Sequence, residues 1–288
     1  MRTLTAKKLP VINLTKEMTA GALRSEIIEG LTSYPRYIDP KFFYDEGGAW
    51  LFQQITRLEE YYLSRTEKSI LKTHATQIVR EMPGNNIVEI ASGDCTKISI
   101  LFNASLSAGR KNLTYFPYEI NAATIKEATS WIMKIFPYVE VQGVVADITS
   151  QFYAIPQVPN RLICFFGSTL GNFSPENTRQ FLKNLGGMMH PGEQFLLGLD
   201  MVKNIHVMEK AYNDSHGMTA AFNKNVLLVI NHLIDADFNP EDFEHLAFYN
   251  EPDSRIEMHL RAKKTITLHS PYLNSDSTIN KGETIPTD

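Results

Sequence analysis

The sequence predicts an α/β fold, a parallel doubly wound sheet with a second, mostly helical domain attached to it. Three observations predict this. Short β-rich runs alternate with stretches of helical period from about residue 66 to 201, polar residues close each of those runs, and both flanks abandon the rhythm.

In order, a helix over Thr66–Glu81 leads into strand Asn86–Ile90, and a helix near Lys97–Ala108 leads into strand Leu113–Ile120. A helix over Asn121–Ile135 follows, then strand Val139–Val145, strand Arg161–Phe166, helix Pro175–Met189 and strand Gln194–Asp200. Asp94, Glu119, Asp147, Gly167 and Asp200 stand at the ends of these five strands, where open parallel sheets bind ligands. Residues 1–65 carry the aromatic clusters Phe42-Phe43-Tyr44 and Tyr61-Tyr62 around an amphipathic segment, Ala49–Ile55. Residues 202–250 read as mostly helical, with apolar positions at helical spacing over Ala211–His232, and Arg255–Leu268 alternates like a hairpin strand. We therefore expect residues 66–201 to form the sheet domain. Residues 1–65 and 202–288 are expected to form one further domain that folds over the open edge of the ligand site, with Gly47-Gly48 and Pro191-Gly192 as turns.

Composition bounds the partners. A chain of 288 residues, 43% hydrophobic and 21% charged, is ordinary globular material. The net charge of -4, without a basic block, argues against nucleic acid as a partner and for a small molecule. No apolar run approaches the roughly 18 residues of a membrane span, and the N-terminus lacks a signal-peptide core, so no membrane partner and a cytoplasmic location are expected, with a monomer as the default. Cys95 and Cys164 have neither metal-site nor disulfide spacing, and His206, His216, His232, His245 and His259 show no ligand spacing, so no metal is expected.

The most informative segment is Asn86-Ile-Val-Glu-Ile-Ala-Ser-Gly-Asp-Cys-Thr-Lys97, a strand running into a small polar turn. Thirty residues after Glu89, the second strand ends on Glu119, the place of a ribose-holding acid in a nucleotide-binding βαβ unit. A dinucleotide needs three glycines so that the backbone can approach its pyrophosphate, and here only Gly93 is present. A nucleoside cofactor without phosphates, such as S-adenosylmethionine (SAM), makes no such demand. Taken alone, the turn is equally an ordinary strand-to-helix connection. The same holds elsewhere: Tyr44, Phe52 and Tyr61 suit a core, Asn172 a turn, Met258 packing and Asp147 a helix cap.

Longer segments narrow the choice. Phe42-Phe-Tyr-Asp-Glu-Gly47, Leu51-Phe-Gln-Gln-Ile-Thr56, Glu60-Tyr-Tyr62 with Arg65-Thr-Glu67, Phe166-Gly-Ser-Thr-Leu-Gly-Asn-Phe173, Leu197-Gly-Leu-Asp-Met-Val-Lys203, Ala211-Tyr-Asn-Asp214, Thr219-Ala-Ala-Phe-Asn223, Phe248-Tyr-Asn250 and Ser254-Arg-Ile-Glu-Met-His-Leu260 occur in one order. Together they closely resemble the histidine N-alpha-methyltransferases of ergothioneine biosynthesis, from about residue 14 onward. The resemblance implies a Rossmann-like class I methyltransferase sheet and transfer of three methyl groups from SAM to the α-amino group of histidine, giving hercynine. It also implies a cofactor site of Ala91, Ser92, Gly93, Lys97, Glu119, Asp147 and Ile148. For the amino acid it implies Tyr44, Phe52, Tyr61, Gly167, Asn172, Tyr212, Met258 and Asp288, with Tyr44 and Asn172 closest to the chemistry.

The sequence departs from the family at four points. Ala91 stands where the loop usually begins with Gly, and Glu119 where the ribose acid is usually Asp. Asp288 occupies the position of a Glu that contacts the imidazole, so a wider pocket for tryptophan or a related aromatic amino acid is an alternative. Five sheet strands are counted, and the helix and two strands that complete the family's sheet are expected to be absent, which raises the further alternative of an inactive binding homologue.

Overall fold

A computed structural model describes residues 11–15, 20–273 and 277–287, which divide into two compact units. The first holds residues 11–15 and 63–200. It is a parallel sheet of seven strands: β1 (Ile12–Asn13), β2 (Asn86–Ile90), β3 (Leu113–Glu119), β4 (Val139–Val141), β5 (Val144–Val145), β6 (Arg161–Phe165) and β7 (Gln194–Leu197). The order is β1-β5-β3-β2-β6-β7, with β4 also paired to β3.

Alternation explains the layers. Ile87, Leu113, Tyr115, Leu162 and Cys164 face one side, and pack against α3 (Tyr62–Glu81), α4 (Ile98–Ser107) and α5 (Ala122–Ile135) through Val79, Leu101, Phe102 and Ile132. Val88, Ile90, Phe116, Tyr118, Ile163 and Phe165 face the other side, and pack against α6 (Pro175–Met188) through Phe181 and Leu185. Because both faces are covered, the central strands are mostly apolar rather than half polar, with Glu89 a buried exception on β2. Asn121 caps α5 by accepting from the N–H groups of Ala123 and Thr124, and Ser174 caps α6 by accepting from Asn177. Arg161 is fully buried and paired with Glu193 at 2.6 Å, which holds the Glu193 carboxyl down at about 2.

Two differences from the sequence reading have physical reasons. The expected strand Val139–Val145 is divided at Gln142-Gly143 into β4 and β5, which pair with successive parts of β3. A Cβ at Gly143 would lie 2.9 Å from the Ile125 side chain, so the chain needs glycine to pass under α5. The sheet therefore holds seven strands instead of five, because Ile12–Asn13 also joins it, in parallel with β5. Residues 12–13 thus belong to the sheet, not to the flanking domain to which residues 1–65 were assigned.

The second unit holds residues 20–62, 201–273 and 277–287. It contains α1 (Ala20–Thr32), α2 (Glu46–Ile55), α7 (Ile205–Tyr212) and α8 (Met218–Ile234), and the strands β8 (Phe243–Asn250), β9 (Arg255–Ala262), β10 (Ile266–Leu268), β11 (Ser277–Ile279) and β12 (Thr284–Pro286). β12, β9 and β8 form an antiparallel sheet, and β10 pairs with β11. The helix expected over Ala211–His232 is interrupted before Met218. Asp214 accepts from the backbone of His216, Met218 and Thr219, and Gly217 turns at φ 68°, so a new helix starts there. β8 lies within the stretch expected to be mostly helical; its register with β9, Phe243 to Ala262 through Asn250 to Arg255, makes it a strand. No helix of the described residues is long and apolar enough to cross a membrane.

Candidate active site

In the first unit, the ends of β5, β3, β2, β6 and β7 are neighbours, and Asp147, Glu119, the turn after Ile90, Gly167 and Asp200 follow them. The turn is built on left-handed backbone at Ala91 (φ 52°), Gly93 (φ 53°) and Cys95 (φ 58°). Such residues are costly outside glycine and persist where the surroundings determine them. Here they do. Ser92 N donates to Tyr118 O at 3.2 Å, and Gly93 N donates to Glu119 Oε2 at 3.1 Å. Cys95 is buried against Tyr115, whose hydroxyl also donates to Glu89.

Glu119 Oε1 accepts from Ile120 and Asn121 N–H at 2.9 and 3.3 Å. Three backbone donors thus aim a carboxylate that offers about four acceptor sites, which leaves capacity for a ligand hydroxyl. A Cβ on Gly93 would meet nothing within 4 Å, so the turn opens onto free space. Lys97 immediately precedes α4 and pairs with Glu67 at 2.5 Å. Open backbone, an aimed carboxylate and a tethered cation fit the nucleoside and amino-acid ends of SAM.

Asp147 is 2% exposed and its carboxylate is engaged within its own turn, accepting from Thr149 N and Oγ1 and from Ser150 Oγ at 2.6 to 2.9 Å. It braces the turn after β5 and is not the helix cap that one reading of the sequence offered, since the next helical turn, Phe152–Ala154, is entered from Gln151. Ile148 is half-buried against the core on that face of the sheet. Asn172 is exposed at the end of a short 3-10 turn, Thr169–Asn172, entered through left-handed Ser168 at φ 59°.

In the second unit, four of the expected substrate residues form one chain of rings. Tyr44 and Phe52 have centroids 6.0 Å apart, Phe52 and Tyr61 6.2 Å, and Tyr61 and Tyr212 5.9 Å, all edge to face. Phe222 of α8 is the hub that the sequence reading missed: it lies 4.6 Å from Phe43, 6.0 Å from Tyr44 and 5.9 Å from Phe52. Its place at helical spacing among buried α8 residues was the available signal. Local structure sets Tyr44 in this cluster. Pro40–Phe43 forms a 3-10 turn that Tyr44 closes, and Asp45 caps α2 through Gly48 N at 2.7 Å. Gly48 has to be glycine, since a Cβ there would stand 1.7 Å from Phe43 O.

Behind the rings runs a buried polar network. His245 Nε2 bonds Tyr212 O at 2.8 Å, and Asn223 Nδ2 donates to His245 Nδ1 at 2.9 Å. Thr287 Oγ1 lies 2.8 Å from Asn223 Oδ1 and 2.9 Å from Met258 O. Burial lowers the His245 pKa, which favours the neutral ring, with Nε2 carrying the proton and Nδ1 accepting. The backbones of Tyr212 and Met258 are therefore held by one set of side chains. Asp288 lies outside the described residues.

Residues 23–288 match the family model described as a SAM-dependent, histidine-specific methyltransferase. The chain belongs to that family. A histidine N-alpha-methyltransferase of Mycolicibacterium smegmatis is 38% identical over 275 residues, which cover 96% of this chain and 85% of that protein. One of Mycobacterium tuberculosis is 39% identical, with 84% of this chain and 75% of that protein covered. A 4-dimethylallyltryptophan N-methyltransferase of Claviceps purpurea is 30% identical, over 71% of this chain and 62% of that protein. SAM has no pyrophosphate, so a turn with a single glycine is compatible with this family.

Proposed function

We propose that the chain methylates the α-amino group of L-histidine with SAM, in three successive transfers that yield the trimethylammonium betaine hercynine. The observation that carries this reading is the aromatic chain Tyr44–Phe52–Tyr61–Tyr212 in a member of the histidine-specific family. When bound, SAM supplies a methyl group on a sulfonium sulfur, which an amine takes by in-line displacement.

The residues are assigned roles by chemistry. In the first unit, Glu119 holds ribose hydroxyls, Lys97 the methionine carboxylate, the Ala91-Ser92-Gly93 turn the amino-acid arm, and Asp147 with Ile148 the adenine side. Asn172 offers a donor and an acceptor to the α-carboxylate of the amino acid, beside Gly167. In the second unit, Tyr61 and Tyr212 carry hydroxyls suited to an amino acid, and Met258 an apolar surface suited to its side chain. Tyr44 orients the amine, and the rings around it stabilise the quaternary cation that grows with each transfer by cation–π attraction, about 1–2 kcal/mol where water is excluded. The amine reacts only when neutral, so one proton leaves before each of the three transfers, first from the substrate ammonium and then from the products of the first and second transfers, and passes to water. Positioning supplies most of the rate.

Kinetics on Asn172→Ala test the assignment. The KM for histidine rises about tenfold or more, and the affinity for SAM stays at the wild-type value. Unchanged histidine kinetics would remove Asn172 from the substrate site.

A further inference from the structure

Glu67 is absent from every role above, yet it occupies the ends of two sheet strands at once. Its carboxylate accepts the Gly167 N–H at both oxygens, at 2.9 and 3.0 Å, and Oε2 lies 2.5 Å from Lys97 Nζ. Gly198 leaves room for it, since a Cβ there would stand 1.9 Å from Glu67 Oε1 and push the carboxylate aside. The side chains of Lys97 and Glu67 are 19% and 16% exposed, so the pair sits at the rim of the sheet and not in its core. Gly167 follows β6 and Gly198 follows β7, the region beyond the carboxyl ends where a parallel sheet binds its ligand.

We propose that Glu67 is a positioning residue for the cofactor and acts through Lys97. The inference rests on the reading of Lys97 as a cofactor residue. A lysine carries a flexible four-carbon stem and three N–H donors, and free in solution it samples many rotamers. Glu67 takes one donor and fixes the stem, which leaves two donors aimed for a ligand carboxylate. The bond from Gly167 N–H fixes Glu67 in turn, so the lysine is referenced to the backbone of β6. The sign of the effect separates this from simple charge competition. If Glu67 merely competed for the ammonium, its neutralisation would tighten ligand binding; as a positioning residue, its neutralisation weakens binding.

Isothermal titration with SAM and with S-adenosylhomocysteine tests it on the full chain, wild type, Lys97→Ala, Glu67→Gln and the double variant. Glu67→Gln keeps a carbonyl acceptor for Gly167 and loses the ion pair. We expect each single variant to weaken both ligands about tenfold, and the double variant to bind no worse than Lys97→Ala alone. Gly198→Ala, which displaces the Glu67 carboxylate without altering a charge, gives the same loss. Melting of the ligand-free variants reports folding separately. Wild-type or tighter binding by Glu67→Gln overturns the inference, as does a Glu67 effect that adds fully to that of Lys97→Ala. Unchanged binding by Lys97→Ala overturns the inference together with the cofactor assignment on which it rests, whereas the other two results leave that assignment standing.

Discussion

Glu89 offers a quantitative test of the layer beneath the Ala91-Ser92-Gly93 turn. It is 2% exposed on β2, receives a hydrogen bond from the Tyr115 hydroxyl, and shares that hydroxyl with Cys95, whose Sγ lies 3.0 Å from it. Burial pushes its pKa from 4.5 up to about 8, against the opposing pull of the Tyr115 hydrogen bond and of Lys97. An acid whose folded pKa lies above its unfolded value binds its proton more tightly when folded. Its contribution to stability is complete below about pH 4.5 and is lost as pH rises toward 8. Between roughly pH 5 and pH 8 this amounts to about 3 kcal/mol, at about 1.4 kcal/mol for each unit in which only the unfolded chain has released its proton. Glu89→Gln has the same shape and no titrating proton. Denaturant unfolding of the two proteins across that range should show the wild type losing about 3 kcal/mol relative to the variant. A new amide N–H left without a partner would shift the variant's curve by a constant and leave its slope unchanged. Parallel stability curves would refute the reasoning.

Glu119→Ala removes the proposed ribose acid and leaves the N–H groups of Gly93, Ile120 and Asn121 without their carboxylate, so the Kd for SAM rises about tenfold or more by titration while kcat at saturating SAM is largely kept. Asn223→Ala cuts the buried links to His245 and Thr287 behind Tyr212 and Met258. Its cost is about 2–3 kcal/mol in denaturant unfolding, with a raised KM for histidine and an unchanged Kd for SAM.

The parts of the fold legible in the sequence are those decided by neighbouring residues. β2 spans the expected Asn86–Ile90, and β3 and β6 end within a residue of expectation, because continuous apolar runs bounded by polar turns leave a buried parallel strand few alternatives. The capped helices α5 and α6 were legible for the same reason, since Asn121 and Ser174 announce their starts. What was hidden depends on contacts far apart in the chain. Phe243–Asn250 carries no strict alternation and becomes a strand through its partner β9; Ile12–Asn13 is too short to declare itself before it meets β5. The same division holds at the candidate site. Glu119 and the Ser92-Gly93 turn could be read from a strand end, and the aromatic residues from segments that resemble a family. Phe222 and Glu67 lie in such segments too, but the ring hub and the carboxylate that reaches Gly167 from α3 become visible only once the chain is folded.

The most direct test of the account is mass spectrometry of histidine, tryptophan and tyrosine, each incubated with the purified chain and SAM. The account predicts that histidine gains three methyl groups while the other two amino acids remain unmodified. Methylation of tryptophan or tyrosine with histidine left untouched, or no transfer by folded protein that binds SAM, would contradict it.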